Sequence, residues 1–351
     1  MPNLPSTVHI SEIMGSPTTA VCTPAEVRTS CAAVTAAAKH VKVLDEKIAT
    51  FASTIDMAQF AELSGAVRYP LSFKSISDEL NFMGLVNVLN FGSGYRKPLH
   101  DITTRGAHET MTFGAIGLFI SEPRLDAKFL RGLSLESVAS YFSLPTERDE
   151  QLSPGIYIAK PGPLKPLAES IRKVLNDTGR ILLELGFADF GAFLLAHLQK
   201  GSSASQLVEL LATTFPAFHD VSPDGSVVVL KKAQCFVASL YRRFQEEDPM
   251  FRFEDIASLT AFSDNVLPCV LHAMGILEYS PELDDMIEKG TLLPHGGVET
   301  ELRAAAVVAC EKIVAATGLE MIALDSFLWR LGKEPAYRIK PRHATQDTVY
   351  Y

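Results

Sequence analysis

Apolar residues in this chain recur at intervals of three and four and seldom at two, which is the spacing of one helix face. From Leu230 the stripe runs through Ala233, Val237, Leu240, Tyr241 and Phe244; from Val298 it runs through Leu302, Ala305, Ala309, Ile313 and Ala316. A face of that kind has to be buried against something, so each stripe commits its helix to a shared core. The same period marks residues 27–43, 44–63, 78–90, 164–185, 189–199, 205–215 and 325–331 as helical. Strand-like alternation is confined to residues 226–229, after the Pro223-Asp224-Gly225 turn. The expected fold is all-α and mostly helical, with at most a short β element.

A core of that extent needs apolar material, and 47% of the 351 residues are hydrophobic against 21% charged. Wholesale disorder is thereby excluded. The longest apolar run, Met111–Ile120, is about half of what a membrane span requires. Residues 1–22 lack the basic start and apolar stretch of a signal peptide. Five cysteines (Cys22, Cys31, Cys235, Cys269 and Cys310) form no C-x-x-C pair and read as reduced, mostly buried thiols of a cytoplasmic protein. Five prolines fall between Ser143 and Pro166, so no helix is expected there; the stretch reads as a surface excursion within one body. The expected layout is a flexible arm over residues 1–25 and a single helical body over 26–351.

The formal charge of −9 argues against a surface that grips polymeric nucleic acid, and nothing points to a membrane partner. Yet Arg330, Lys333, Arg338, Lys340 and Arg342 outweigh Glu334 and Asp347 over residues 330–351, a local +3 on an acidic chain. An island of that size suits a single phosphate on a small molecule.

Four segments have residue types suited to chemistry. In Leu89–Arg96 the Gly92-Ser93-Gly94 run lets backbone N–H groups approach a ligand, Phe91 and Tyr95 offer stacking faces, and Asn90 both donates and accepts. In 259–268, Ser263 or Asp264 caps a helix that tolerates Pro268 near its first turn, and a carboxylate there is electrostatically favoured. Lys231 and Lys232 point about 100° apart, so only one of them faces any pocket. Glu299 and Arg303 have the i,i+4 spacing of an ion pair. There is no H-E-x-x-H, no G-x-S-x-G and no dinucleotide loop, so neither metal nor organic cofactor is expected.

Taken jointly, Asp78–Phe82, Leu89–Arg96, Lys231–Gln234, Leu259–Asp264 with Pro268, Gly275–Ser280, Glu299–Ala304 and the stretch from Arg342-His343 to Tyr351 resemble the queuosine salvage protein family. The likeness runs from about residue 25 to the end and departs at Gly296-Gly297 and at Val67-Arg68-Tyr69. The resemblance implies an all-α fold similar to helix-hairpin-helix DNA glycosylases, with a glycosylase-like core near 226–332 and a substrate-binding tail over 333–351. It implies hydrolysis of queuosine 5′-monophosphate to queuine and ribose 5-phosphate, with Asp264 and Lys232 at the catalytic centre. It further implies substrate contacts from Asn90, Phe91, Ser93, Tyr95, Asn265, Cys269, Arg303, Trp329, His343, Thr345 and Tyr351. The competing classes are a non-catalytic helical interaction protein and a glycosylase acting on polymeric nucleic acid.

Overall fold

In the computed structural model, which describes residues 20–65, 68–122 and 124–351, helices supply most of the regular structure. The periodic segments become the helices Ile76–Val88, Lys165–Glu184, Phe190–Leu198, Ala204–Thr214, Lys231–Phe244, Val298–Thr317 and Met321–Leu331. Two expected helices are shorter than their apolar period. The first ends at Ala37, and Val41–Val43 instead forms a strand antiparallel to Leu277–Tyr279, with Val41 opposite Tyr279. The second splits into Asp45–Thr54 and Met57–Leu63, because Asp56 Oδ1 accepts the N–H groups of Ala58 and Gln59 and so begins a new helix.

The proline-rich stretch is helix-free, but it is more ordered than a plain connection. Glu147–Ser153 and Ile156–Pro161 pair as an antiparallel hairpin around Pro154-Gly155, where Gly155 has φ +81°. Its strands have no buried face, so no hydrophobic alternation announces it. The strand expected at 226–229 is reduced to one bridge, Val221 to Val228. Much of the expected N-terminal arm, residues 1–19, lies outside the described residues. The last part is packed: Cys22 is buried, and Thr23 Oγ1 accepts Glu26 N–H to cap a helix with Pro24 in its first turn. All five cysteines are free thiols. Among the described residues no helix is long and apolar enough to cross a membrane.

Two apolar clusters meet at the Val298–Thr317 helix. Ala304 and Val307 face the larger cluster, while Leu302, Ala305, Ala306, Ala309, Cys310 and Ile313 face the smaller. A helix apolar on both sides belongs in the interior, and the small alanines let neighbours approach closely. The segment 259–266 lies across the same junction: Leu259 and Phe262 belong to the larger cluster, Ala261 and Val266 to the smaller.

Arg303, on this helix, is fully enclosed. Its guanidinium bonds Asp220 Oδ2 at 2.5 Å and Glu299 Oε1 at 3.3 Å, its Nε donates to the Ser263 carbonyl at 3.0 Å, and the Tyr351 ring lies 4.5 Å from its centre. The Glu299–Arg303 pair is therefore a buried hub rather than a surface ion pair. Burial alone would raise the Glu299 carboxyl, but Arg303, then His295 and the Gly296 N–H, hold it well below the usual carboxylate range. Since its folded pKa lies below that of the unfolded chain, this contribution is complete above the ordinary carboxylate pKa and fades as pH falls beneath it. Arg303→Met leaves two buried carboxylates without their cation and should cost about 3–5 kcal/mol of stability at neutral pH. Chemical denaturation of both proteins checks this, and the gap between them should narrow on acidification.

Candidate functional site

A cavity of about 660 Å³ opens beside the junction of the two cores. Along one wall, Lys231, Cys235, Ala238, Ser239 and Arg242 form a single stripe of the Lys231–Phe244 helix, which spans roughly 16 Å at about 1.5 Å per residue. Asn90 and Phe91 contribute from the loop after the Ile76–Val88 helix, and His108 and Met111 from the Ala107–Ser121 helix. Phe262, Asp325 and Trp329 complete the end nearest the junction. Phe91, Phe262 and Trp329 give this end aromatic walls suited to a flat heterocycle.

The two lysines diverge, and it is Lys231 rather than Lys232 that borders the cavity. Lys231 lines the cavity, and its Nζ donates to the Asn90 carbonyl at 3.3 Å. Lys232 does not line it, and neither does Asp264. The Lys232 Nζ is fully buried, donates to the Val88 carbonyl at 2.7 Å, and sits 5.1 and 5.6 Å from the Phe91 and Phe218 rings. Burial, followed by the charge of Lys231, drives the Lys232 amine well below its ordinary pKa. The register is set one residue earlier, where Leu230 takes the left-handed conformation with φ +54° and Asp220 Oδ2 accepts the Lys231 N–H at 3.0 Å. Lys231→Met should lower activity at least tenfold while hardly moving the melting temperature. Lys232→Met leaves the Val88 carbonyl without a donor, at a cost of about 1–3 kcal/mol, and should melt lower. Paired activity and melting measurements on both variants check this, and the reverse pattern would restore Lys232.

Asp264 stands just ahead of the Val266–Ala273 helix, and its Oδ1 accepts the N–H groups of Val266 at 2.6 Å and Leu267 at 3.4 Å. It is 5% exposed, and its charge is felt by His108, Cys235, Asp325, Lys333 and His343. Groups from four other parts of the chain thus converge on it. Asp325 is held to the same segment: its Oδ1 accepts the Phe262 N–H at 2.7 Å. Burial pushes the Asp325 carboxyl up to about 7, with the Phe262 N–H and the charges of Lys231 and Arg242 opposing. His108 packs edge-on against Trp329 at 5.0 Å, and burial, then Lys333 and Lys231, pushes it down to about 4.

Around this centre the cations outnumber their partners. Lys333 is pushed down to about 8, chiefly by burial and then by Arg342, with Arg96 and Lys231 adding and Asp264 opposing. Arg96 donates to the Arg338 carbonyl and Arg342 to that of Gly332, each at 2.5 Å, while Arg342 Nε is buried without a partner. Among the described residues, none of Arg96, Lys231, Lys333 and Arg342 forms an ion pair with a carboxylate. Among the described residues no group of three or more metal-ligating side chains gathers.

The remaining expected contacts divide. Asn90, Phe91 and Trp329 line the cavity with Lys231. Arg303 is occupied by protein partners, as described. Asn265 Nδ2 donates to the His343 carbonyl at 3.2 Å, and Cys269 Sγ to that of Pro341 at 3.4 Å, so both hold the tail in place. His343 and Tyr351 are buried together, with Nε2 and the hydroxyl 3.4 Å apart. Tyr95 hydroxyl donates to the Gln346 carbonyl at 3.5 Å, and Ser93 Oγ is buried without a partner. The glycine loop receives this tail. Gly92, at φ +95°, donates its N–H to the Tyr351 carbonyl at 3.0 Å, and a Cβ on Gly94 would lie 2.0 Å from the Thr345 carbonyl oxygen. The glycines thus serve a close backbone approach, but to the chain itself. The sequence pattern does not single out His108, Phe262, Asp325 or Arg96 as site residues; for Asp325 a signal exists, a lone acid among Met321, Leu324 and Leu328 on an apolar stripe.

Comparison with known proteins gives the family. A family described as queuosine salvage protein matches residues 121–351. The chain is similar to proteins named queuosine 5′-phosphate N-glycosylase/hydrolase. That of Sphaerobacter thermophilus is 33% identical over 237 residues, covering 65% of this chain and 67% of that protein. That of Schizosaccharomyces pombe is 34% identical over 176 residues, 48% of this chain and 49% of the relative. That of Mus musculus is 33% identical over 205 residues, 53% and 59% respectively. The matched stretch spans about half to two thirds of the length of these relatives.

Proposed function

The chain belongs to the queuosine salvage protein family, and from that premise we propose that it hydrolyses the N-glycosidic bond of queuosine 5′-monophosphate, releasing queuine and ribose 5-phosphate. The observation that carries this reading is the set of four cations without carboxylate partners, Arg96, Lys231, Lys333 and Arg342, in which Arg96, Lys231, Arg342 and Asp264 all act on Lys333 beside an aromatic-walled cavity that Lys231 lines. Positive charge without a counterion favours an anion, and a nucleotide phosphate supplies one.

Bond breaking at C1′ develops positive charge on the ribose, which the Asp264 carboxylate stabilises. The same carboxylate aligns water and takes its proton as the oxygen adds to C1′. Its bonds to the Val266 and Leu267 N–H groups keep it aimed. Lys231, bonded to the Asn90 carbonyl, orients the wall against which the nucleotide lies. Phe91, Phe262 and Trp329 stack or edge the base. The substrate is a free nucleotide rather than a polymer, in keeping with the net acidic charge and a basic island no larger than one phosphate requires. Incubating the protein with queuosine 5′-monophosphate and separating the products by chromatography tests the reading. Free queuine and ribose 5-phosphate in equal amounts support it, and unchanged nucleotide overturns it.

A further inference from the structure

A leaving 7-deazapurine poses a problem that Asp264 does not solve. The base has carbon in place of N7, so the usual site for protonating a departing purine is missing, and the electrons of the broken bond need a proton elsewhere. N3, the ring nitrogen beside the glycosidic position, is the acceptor nearest the sugar. A donor to it has to lie in the cavity, close to Asp264 and outside any ion pair that would keep it ionised.

Asp325 meets those requirements by position. Its side chain lines the cavity, yet the residue is 6% exposed. Its bond to the Phe262 N–H fixes it to the segment that carries Asp264, two residues further on. Among the described residues it forms no ion pair. The charged and titratable groups that act on it are Lys231, Cys235 and Arg242 from the Lys231–Phe244 helix, Asp264 from the segment before Val266, and Cys310 from the Val298–Thr317 helix.

Resting on the glycosidase reading above, we propose that Asp325 is the general acid of the reaction, giving its carboxyl proton to N3 of the departing base while Asp264 serves the sugar. The C1′–N9 bond breaks with its electron pair passing to the base, which leaves neutral as the N3–H tautomer and reverts to N9–H through solvent. The water oxygen bonds C1′ and its proton passes to Asp264; solvent then carries a proton back to Asp325, so one water is consumed and both carboxyls are restored. The burial that pushes Asp325 up to about 7 keeps a protonated fraction at neutral pH.

Asp325→Asn keeps an oxygen for the Phe262 N–H and removes the proton. With queuosine 5′-monophosphate, kcat should fall about a hundredfold, the low end for loss of a general acid, while KM changes little. The deciding readout is kcat against pH. The unaltered protein should lose rate as pH rises through neutrality, and the variant should lack that limb. Asp325→Glu should restore part of the rate together with the limb. A variant that keeps its kcat and only raises KM makes Asp325 a binding group and overturns the proposal. So does a low kcat with the alkaline limb unchanged, which marks a structural role. If the unaltered protein releases no queuine, the glycosidase reading itself fails, and the proposal with it.

Discussion

Asp264→Asn should reduce turnover of queuosine 5′-monophosphate by at least about 10²–10³, the scale of losing one transition-state stabiliser. The fold should survive, because Asn is as good a cap as Asp and its amide oxygen still accepts from Val266 and Leu267. KM should stay level or fall, since removing one negative charge strengthens the hold of Arg96, Lys333 and Arg342 on an anion. A melting curve beside steady-state kinetics checks all three statements. Near-normal turnover in a well-folded variant would falsify the assignment.

The 5′-monophosphate should be hydrolysed with a kcat/KM at least about a hundredfold above that of unphosphorylated queuosine. Two charge-assisted hydrogen bonds at about 1.5–3 kcal/mol each account for a factor of that size. The phosphate is remote from C1′, so part of its binding energy positions the sugar against Asp264 and appears in kcat. Arg342→Gln should erode the preference from one side, slowing the nucleotide while leaving the nucleoside nearly unchanged. Equal efficiencies for the two substrates would leave the basic segment as nothing more than a solvated end.

Much of the helical fold was legible because each helix shows its buried face in its own sequence: the Leu230–Phe244 stripe needs no knowledge of what it packs against. The position of Asp264 ahead of a helix was legible for a similar reason, since a helix start is marked locally by its polar residues. The choice between Lys231 and Lys232 was not. It depends on the left-handed turn at Leu230 and on Asp220, which accepts the Lys231 N–H from eleven residues away. The hairpin at 147–161 was hidden because its strands bury no face, and alternation is readable only where one side is apolar. Gly92 and Gly94 were recognisable as positions of close approach, but a sequence does not say whether what approaches is a ligand or the chain's own tail.

That tail also fixes when the site comes into being. Gln346 Nε2 donates to the Gly94 carbonyl across 252 residues, and the same closure brings Lys333 and Arg342 to their places. Contacts of such sequence separation form late, after local helices and their nearer neighbours. On the ribosome, Arg96, Lys231, Asp264 and the aromatic walls all emerge before Lys333 and Arg342, so a nascent chain carries Asp264 before its set of unpaired cations is complete. Queuosine 5′-monophosphate added during refolding should therefore speed nothing early and stabilise only the last step.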